Sequence, residues 1–211
     1  MISIDSFILP MRQSLAIGVS ACCLTLVSQP TLSRETPPLV QQRNPSPSPT
    51  DLQEAEVYNN LGVDWASQGR FIEAIAAFQR AIELYPDYEN AYNNLGIAYA
   101  SLGDFSAAVD AFESAIEINP RNWETHNNLG SAFGSLGRFP EAADAFQEAI
   151  FLNPNIPDCH YNFALALLNQ GKLSEAIAPL KKARTLYLQL NNRPAVDEIN
   201  RLLQRIENQQ F

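Results

Sequence analysis

The hydrophobic and polar positions of the chain repeat with a period of 34 residues. Within each period the apolar residues recur three or four residues apart, which is the spacing of the buried face of an amphipathic helix. A glycine at position 15 of every unit interrupts this pattern, and a proline at position 32 ends it in the first three units. The pattern therefore predicts two helices in each of four units, which span 55–88, 89–122, 123–156 and 157–190.

Four positions of the unit carry the strongest repetition, with leucine at 7, glycine at 8, alanine at 20 and phenylalanine at 24. The residues are Leu61, Leu95 and Leu129; Gly62, Gly96 and Gly130; Ala74, Ala108, Ala142 and Ala176; and Phe78, Phe112 and Phe146. The small residues allow paired helices to approach closely, and the aromatic side chains fill the space beside them. Because one helix pair cannot bury its apolar face alone, neighbouring units are expected to stack around one continuous core.

This arrangement resembles the tetratricopeptide repeat (TPR) family. That family has an aromatic residue at position 4, leucine at 7, glycine at 8, tyrosine at 11, alanine at 20 and 27, an aromatic residue at 24 and proline at 32. The first unit supplies Tyr58, Leu61, Gly62, Trp65, Ala74, Phe78, Ala81 and Pro86 at these positions. The resemblance implies an all-α fold, in which helix-turn-helix repeats over 51–190 form a right-handed superhelical stack, or α-solenoid.

The fourth unit departs from the pattern. Ala164 replaces the glycine, Leu180 replaces the aromatic residue, and Leu188 replaces the proline. Pro179 lies within the second helix of this unit and is expected to interrupt and kink it, because proline lacks the backbone N–H that the helix needs.

Residues 191–211 follow the last repeat and are predicted to contain a capping helix. Its apolar positions are Val196, Ile199, Leu202, Leu203 and Ile206, and they have helical spacing. This helix is expected to cover the open end of the stack, as terminal repeats require. Arg201 and Arg205 fall on its other side and are expected to face water.

Residues 1–33 have the layout of a secretory signal peptide. Arg12 precedes an apolar run from Leu15 to Ser28, and a stretch of small residues ends at Ser33. The run is shorter than the roughly 18 residues that suggest a membrane span, so we expect cleavage after Ser33 and export to the periplasm or an equivalent extracytoplasmic lumen. Two alternatives are an uncleaved membrane anchor and a lipoprotein, because the letters VSAC at 19–22 resemble a lipoprotein cleavage box.

Residues 34–50 are rich in proline and serine and are expected to form an extended linker. Thr50, with Gln53 three residues later, is the predicted start of the first helix. If residues 1–33 are removed, Cys159 is the only cysteine left, so no disulfide can form within one chain.

One side of the first helix of each unit is not needed for the core. With about 100° per residue, positions 4, 7, 8 and 11 lie on one side and positions 2, 5, 6, 9, 12 and 13 lie on the other. In TPR proteins the second set lines the concave groove where partners bind. Position 6 is asparagine in all four units and position 5 is asparagine in three. These residues are Asn59, Asn60, Asn93, Asn94, Asn127, Asn128 and Asn162.

The row of asparagines predicts binding of an extended peptide. An amide side chain offers both an acceptor and donors, which match the donor and acceptor of a peptide unit. The row resembles the Asn ladder of the O-GlcNAc transferases, and only the ladder is similar. It does not resemble the carboxylate clamp of chaperone-binding TPR proteins, because that clamp needs Lys and Arg at groove positions where this chain has neither. The alternative is that these side chains are solvated, or bond to neighbouring repeats.

The charge of the chain is unevenly distributed. Its formal net charge is −9, which argues against a nucleic-acid partner. The first three units contain 14 acidic and 4 basic residues, whereas residues 157–211 contain 5 acidic and 7 basic ones. The acidic body favours a basic or amphipathic peptide as the partner.

No catalytic, metal or cofactor motif is found in the sequence. His126 and His160 occupy position 4, which packs into the core, and Cys159 lacks the spacing of a metal site. We therefore expect no enzyme activity and no cofactor, but an exported scaffold or adaptor that binds a protein or peptide in its groove. The alternative is a structural or assembly factor that packs against a larger complex through its convex face or C-terminal helix. Membrane contact is expected only if the N-terminal segment is retained or lipidated.

Overall fold

The computed structural model describes residues 48–209, which form helices joined by short turns. Over these residues there are nine helices and no strand. They are α1 (Pro49–Ser67), α2 (Phe71–Leu84), α3 (Glu89–Ser101), α4 (Phe105–Ile118), α5 (Trp123–Ser135), α6 (Phe139–Leu152), α7 (Pro157–Asn169), α8 (Leu173–Gln189) and α9 (Arg193–Gln209). The predicted signal peptide, 1–33, and most of the predicted linker, 34–50, lie outside the described residues.

The helices pair as the 34-residue period predicts, and the all-α stack is confirmed. α1 packs on α2, α3 on α4, α5 on α6 and α7 on α8, and each second helix also contacts the first helix of the next repeat. The turn within each repeat contains a glycine with φ between 74° and 82° (Gly69, Gly103, Gly137 and Gly171). Because side-chain-bearing residues rarely adopt this conformation, glycine at position 15 fixes the turn between the two helices.

The first helix begins earlier than the sequence suggests. Its N-cap is Ser48, not Thr50, and Pro49 occupies the first helical turn. The Ser48 hydroxyl accepts a hydrogen bond from the backbone N–H of Asp51 (3.2 Å), and the Asp51 carboxylate accepts one from the backbone N–H of Ser48 (2.7 Å). A reciprocal cap of this kind, followed by a proline whose missing N–H is not needed there, explains the earlier start.

Glycine at position 8 is required by close packing against the phenylalanine at position 24. A Cβ atom placed on Gly62, Gly96 or Gly130 would lie only 2.5–2.8 Å from a ring carbon of the phenylalanine in the same repeat. These rings, Phe78, Phe112 and Phe146, are almost completely buried. The repeat therefore uses the absence of a side chain at position 8 to hold an aromatic ring directly against the first helix.

The fourth repeat solves the same packing problem with different residues. Ala164 stands at position 8 and Leu180 at position 24, and both are fully buried in one cluster. The added methyl group is accommodated because the ring is absent. The interruption expected at Pro179 is wrong, since α8 continues through this residue to Gln189. Buried residues on either side of it, Ala176 and Leu180, hold the helix against its neighbours despite the lost hydrogen bond.

α9 covers the end of the stack. Its buried side chains are Ala195, Val196, Ile199, Leu202, Leu203 and Ile206, and they share a cluster with residues of α7 and α8. Arg201 and Arg205 are exposed on the opposite side of the helix. α9 therefore provides the apolar face that a following repeat would otherwise supply.

The two histidines have a structural role in the joints between repeats. The Nε2 atoms of His126 and His160 lie 3.0 and 2.9 Å from the carbonyl oxygens of Pro120 and Pro154, the prolines that end the preceding repeats. Because a carbonyl only accepts, each Nε2 carries the proton and donates it. Position 4 thus links each of these repeats to the end of the previous one.

Acidification is expected to destabilise the protein through His160. Burial lowers the pKa of His160 below its ordinary value of 6.5, and Lys182 adds to the effect, although the hydrogen bond to Pro154 opposes it. The unfolded chain therefore binds a proton first, and the free energy of unfolding falls as the pH drops below about 6.5. Urea denaturation at intervals from pH 7.5 to 5.5 should show a flatter profile for His160→Tyr, which restores the tyrosine found at position 4 of repeats 1 and 2. Parallel profiles for the two proteins would contradict this assignment.

Candidate peptide-binding groove

The candidate groove is the surface formed by positions 2, 5, 6, 9, 12 and 13 of the four first helices. α1 contacts α3, α3 contacts α5, and α5 contacts α7, so these helices form one continuous layer. The packing of positions 4, 7, 8 and 11 against the second helices fixes the rotation of each first helix. The remaining side of each first helix is therefore available to line the groove.

The asparagines pair across the joints between repeats. The Nδ2 atom of Asn94 donates to Oδ1 of Asn59 (2.9 Å), and that of Asn128 donates to Oδ1 of Asn93 (3.3 Å). A longer contact of 3.5 Å joins Asn162 to Asn127. Each bond therefore connects position 6 of one repeat to position 5 of the preceding repeat. This is the alternative given in the sequence analysis, in which the asparagines bond to neighbouring repeats.

The pairing follows from the geometry of the helix. Positions 5 and 6 are separated by about 100° around the axis, so position 5 faces the following repeat while position 6 faces the preceding one. A helical projection of one repeat places both on the groove side and does not show this difference. We call this series of paired side chains the ladder.

The ladder has a fourth rung that the sequence analysis missed. Tyr161 occupies position 5 of the last repeat, and its hydroxyl donates to the carboxylate of Glu198 in α9. The separation is 37 residues instead of 35 because α8, at 17 residues, is three residues longer than the 14-residue helices α2, α4 and α6, while the turn that follows it, 190–192, is one residue shorter than the turns 85–88, 119–122 and 153–156. Glu198 is thus the sixth residue of α9, as Asn94 is of α3. α9 therefore takes the place of a fifth first helix. Tyrosine at a position that is asparagine in the other three repeats was the one sign in the sequence that this rung differs. Its acidic partner, Glu198, could not be inferred without knowing how α9 packs.

Only part of the ladder is open to a ligand. Asn60 is exposed, and Asn93, Asn94 and Asn128 are half-buried. In contrast, Asn59, Asn127 and Asn162 have exposed fractions of 7 %, 4 % and 0 %. The Oδ1 atom of Asn162 is buried and has no hydrogen-bond partner among the described residues. Four of the seven asparagines identified in the sequence therefore remain at the surface.

The open asparagines are surrounded by small residues at position 12, by the apolar Val63 and Ile97 at position 9, and by acidic residues at position 2. Ala66, Ala100 and Gly134 at position 12 leave room beside the ladder. Glu56 and Glu124 are exposed at position 2 on the edge of the groove. No groove position carries a lysine or arginine. The open part of the groove is therefore a surface lined by amides and two apolar side chains, with a negative rim.

Reactive chemistry is not concentrated at this surface. Burial, together with the nearby carboxylate of Asp158, raises the pKa of Cys159 to about 12, which leaves its thiol protonated and a poor nucleophile. Among residues 48–209 no group of three or more His, Cys, Asp or Glu side chains is arranged to hold a metal ion. Within the same residues no helix combines the length and apolarity needed to cross a membrane.

Comparison with protein families agrees with the architecture. Two family models, both described as tetratricopeptide repeat, match residues 53–121 and 127–187, which together are more than half of the chain. The chain belongs to the tetratricopeptide repeat family. Members of this family are typically protein-interaction scaffolds without catalytic activity.

Several solved TPR structures are similar to this TPR protein. MamA MSR-1 is 31 % identical, with a TM-score of 0.58, over 64 % of this chain and 78 % of that chain. MamA AMB-1 is 30 % identical, with a TM-score of 0.57, over 63 % of this chain and 72 % of that chain. YrrB, a TPR protein with an unusual peptide-binding site, shares the fold at 24 % identity and a TM-score of 0.58, over 74 % of this chain and 88 % of that chain. Among curated proteins, none matches the chain.

Proposed function

We propose that this TPR protein is an exported, non-catalytic scaffold that binds an extended peptide segment of a partner protein along the groove. The observation that carries the proposal is the row of accessible amides formed by Asn60, Asn93, Asn94 and Asn128. Small residues at position 12 support it, since they allow a peptide backbone to approach the amides closely. Export is proposed on the composition of residues 1–33 alone.

The amides that join the repeats retain the capacity to bind a peptide. A rung uses one N–H of the position-6 amide and one lone pair of the position-5 oxygen, whereas each amide has two N–H donors and an oxygen with two lone pairs. Each further hydrogen bond is worth about 0.5–1.5 kcal/mol net. Since association and peptide ordering offset much of this gain, the ladder alone supports binding of micromolar affinity or weaker.

The negative rim favours a peptide that carries basic side chains. Glu56 and Glu124 lie at the edge of the groove without a salt-bridge partner among the described residues. A solved structure with the same fold shows the first TPR of Spaghetti (RPAP3) bound to the HSP90 peptide SRMEEVD. It is 22 % identical to this chain, with a TM-score of 0.56, over 57 % of this chain and 95 % of that chain. That peptide contains three acidic residues, so we propose a different class of ligand for this acidic groove.

A second candidate function is assembly through the convex face. Phe151, Leu188 and Leu190 are large apolar side chains near the ends of α6 and α8, with exposed fractions of 79 %, 54 % and 65 %. Exposed apolar side chains indicate a protein contact where they form one patch, and the substitution below tests whether these three act together. If this face is the docking surface, Phe151→Ser abolishes partner binding and groove substitutions leave it intact.

The groove is tested by replacing two accessible amides. In a co-purification with the native extract, Asn94→Ala/Asn128→Ala should recover at least tenfold less partner than the unmodified chain, because about two hydrogen bonds are lost at each position. The recovered proteins are quantified by mass spectrometry.

Asn59→Ala is the matched control for this experiment. It breaks the rung to Asn94 from the buried side and leaves the amide of Asn94 at the surface. The control should retain partner capture even if it lowers the melting temperature. Equal capture by all three proteins would exclude the groove and direct attention to the convex face.

A further inference from the structure

The groove is progressively covered along the array. Position 6 is exposed in repeat 1 at Asn60, half-buried in repeats 2 and 3, and fully buried in repeat 4 at Asn162. Position 9 is exposed in repeat 1 at Val63, half-buried in repeat 2 at Ile97, and buried in repeats 3 and 4 at Ser131 and Leu165. At positions 6 and 9 access therefore decreases from repeat 1 to repeat 4, whereas position 5 is already buried in repeat 1, at Asn59.

Bulky residues and α9 together cause the closure. Repeat 4 has Tyr161 at position 5, Leu165 at position 9 and Leu168 at position 12. In the other repeats position 5 is asparagine, position 9 is a smaller or less buried residue, and position 12 is alanine or glycine. All three belong to the cluster that contains the buried face of α9. The hydrogen bond from Tyr161 to Glu198 adds a polar contact at the same place. The groove side of repeat 4 is thus used to bind α9.

We propose that the groove is closed at repeat 4, so that it binds a short extended segment with basic side chains on repeats 1–3 only. This inference rests on the proposed function and adds the length and position of the ligand. Glu56 and Glu124 are exposed at position 2 of repeats 1 and 3, whereas Asp158 at the same position of repeat 4 is half-buried and accepts a hydrogen bond from Tyr187. The exposed negative edge, which favours basic side chains in the ligand, therefore ends with the open part of the groove.

The spacing of the repeats sets the length of the segment. Neighbouring packed helices lie about 8–10 Å apart, so Asn60 and Asn128 are separated by roughly 20 Å along the groove. An extended chain advances about 3.3 Å per residue and covers this distance with about six residues. With one flanking residue at each end, the bound segment contains about eight residues.

A matched pair of tryptophan substitutions tests the closed end. Ser135 and Asn169 both occupy position 13, in repeats 3 and 4, and each side chain donates only to a backbone carbonyl of its own helix. The probe is a display library of random 16-residue peptides, selected on the full chain and then measured by calorimetry. Ser135→Trp should weaken binding of the selected peptides at least tenfold, whereas Asn169→Trp should change it less than twofold.

Truncation of the selected peptides provides a second, independent measurement. The minimal binding segment should contain about eight residues by the spacing argument and should be enriched in Lys and Arg. Equal weakening by the two tryptophan variants, or a minimal segment of about twelve residues, would show that the ligand continues over repeat 4 and would overturn the closed end. Loss of binding in Asn94→Ala/Asn128→Ala would at the same time support the groove itself. If the library yields no binder, or binders insensitive to those alanines, the proposed function fails instead.

Discussion

Gly96→Ala is expected to lower the free energy of unfolding by about 2 kcal/mol. The new methyl group would lie 2.6 Å from the buried ring of Phe112, and because overpacking typically costs 1–3 kcal/mol, a contact this short against a buried ring is expected at the upper end, at about 3 kcal/mol. Alanine is preferred over glycine in a helix by roughly 1 kcal/mol, so the measured loss is the difference between the two effects. Urea denaturation followed by circular dichroism provides the measurement.

The fourth repeat supplies the compensating change. Gly96→Ala/Phe112→Leu reproduces the pair Ala164 and Leu180 in the setting of repeat 2, so the double variant should be at least 1 kcal/mol more stable than the sum of its single variants predicts. Leu180→Phe, which places the ring opposite an alanine in repeat 4, is the reverse control and should be destabilising. Additive single effects would mean that the ring and the methyl group do not compete for the same space.

Ile199→Ala in α9 is expected to destabilise the C-terminal end of the array by about 2–4 kcal/mol. Ile199 is completely buried in the cluster that joins α9 to α7 and α8, and truncation of a buried isoleucine to alanine usually costs 2–5 kcal/mol. Because stability in a repeat array depends on each neighbouring interface, hydrogen exchange should accelerate in α7 and α8 before it does so in α1 to α4.

Gln204→Ala is the corresponding control. Gln204 is exposed on the same helix, so its replacement should change neither the denaturation midpoint nor the exchange pattern. If exchange in α7 were unchanged in Ile199→Ala, α9 would not be the element that covers the groove side of repeat 4, and the closed end would lose its structural basis.

The fold could be predicted from the sequence because each critical packing contact recurs with the same spacing. Gly62 and Phe78 lie 16 residues apart, and this separation is repeated in the next two units. The exceptions arose where a single local feature was weighed without its surroundings. Pro179 does not interrupt α8 because buried residues hold the helix on both sides, and Ser48 precedes Thr50 as a cap because Asp51 completes the reciprocal bond.

The candidate site was only partly accessible to prediction. The face of the helix on which Asn94 lies follows from its position, but its bond to Asn59 depends on how two repeats are stacked. The closure of the groove at repeat 4 likewise depends on Tyr161, Leu165 and α9 meeting in space, since nothing in a pattern of 34 residues specifies the angle at which α9 returns. The identity of a residue on a face is thus a property of the sequence, whereas its exposure is a property of the assembled array.

The ladder also bears on how such a protein can change its length. Each rung joins position 5 of one unit to position 6 of the next. A duplicated unit inserted between repeats 1 and 3 would therefore have an asparagine to bond to in the unit before it and in the unit after it. The end of repeat 4 has no such freedom, because Tyr161 is matched to Glu198 and not to an asparagine. Growth of the array by gene duplication is therefore permitted within its first three repeats, while its last joint is fixed.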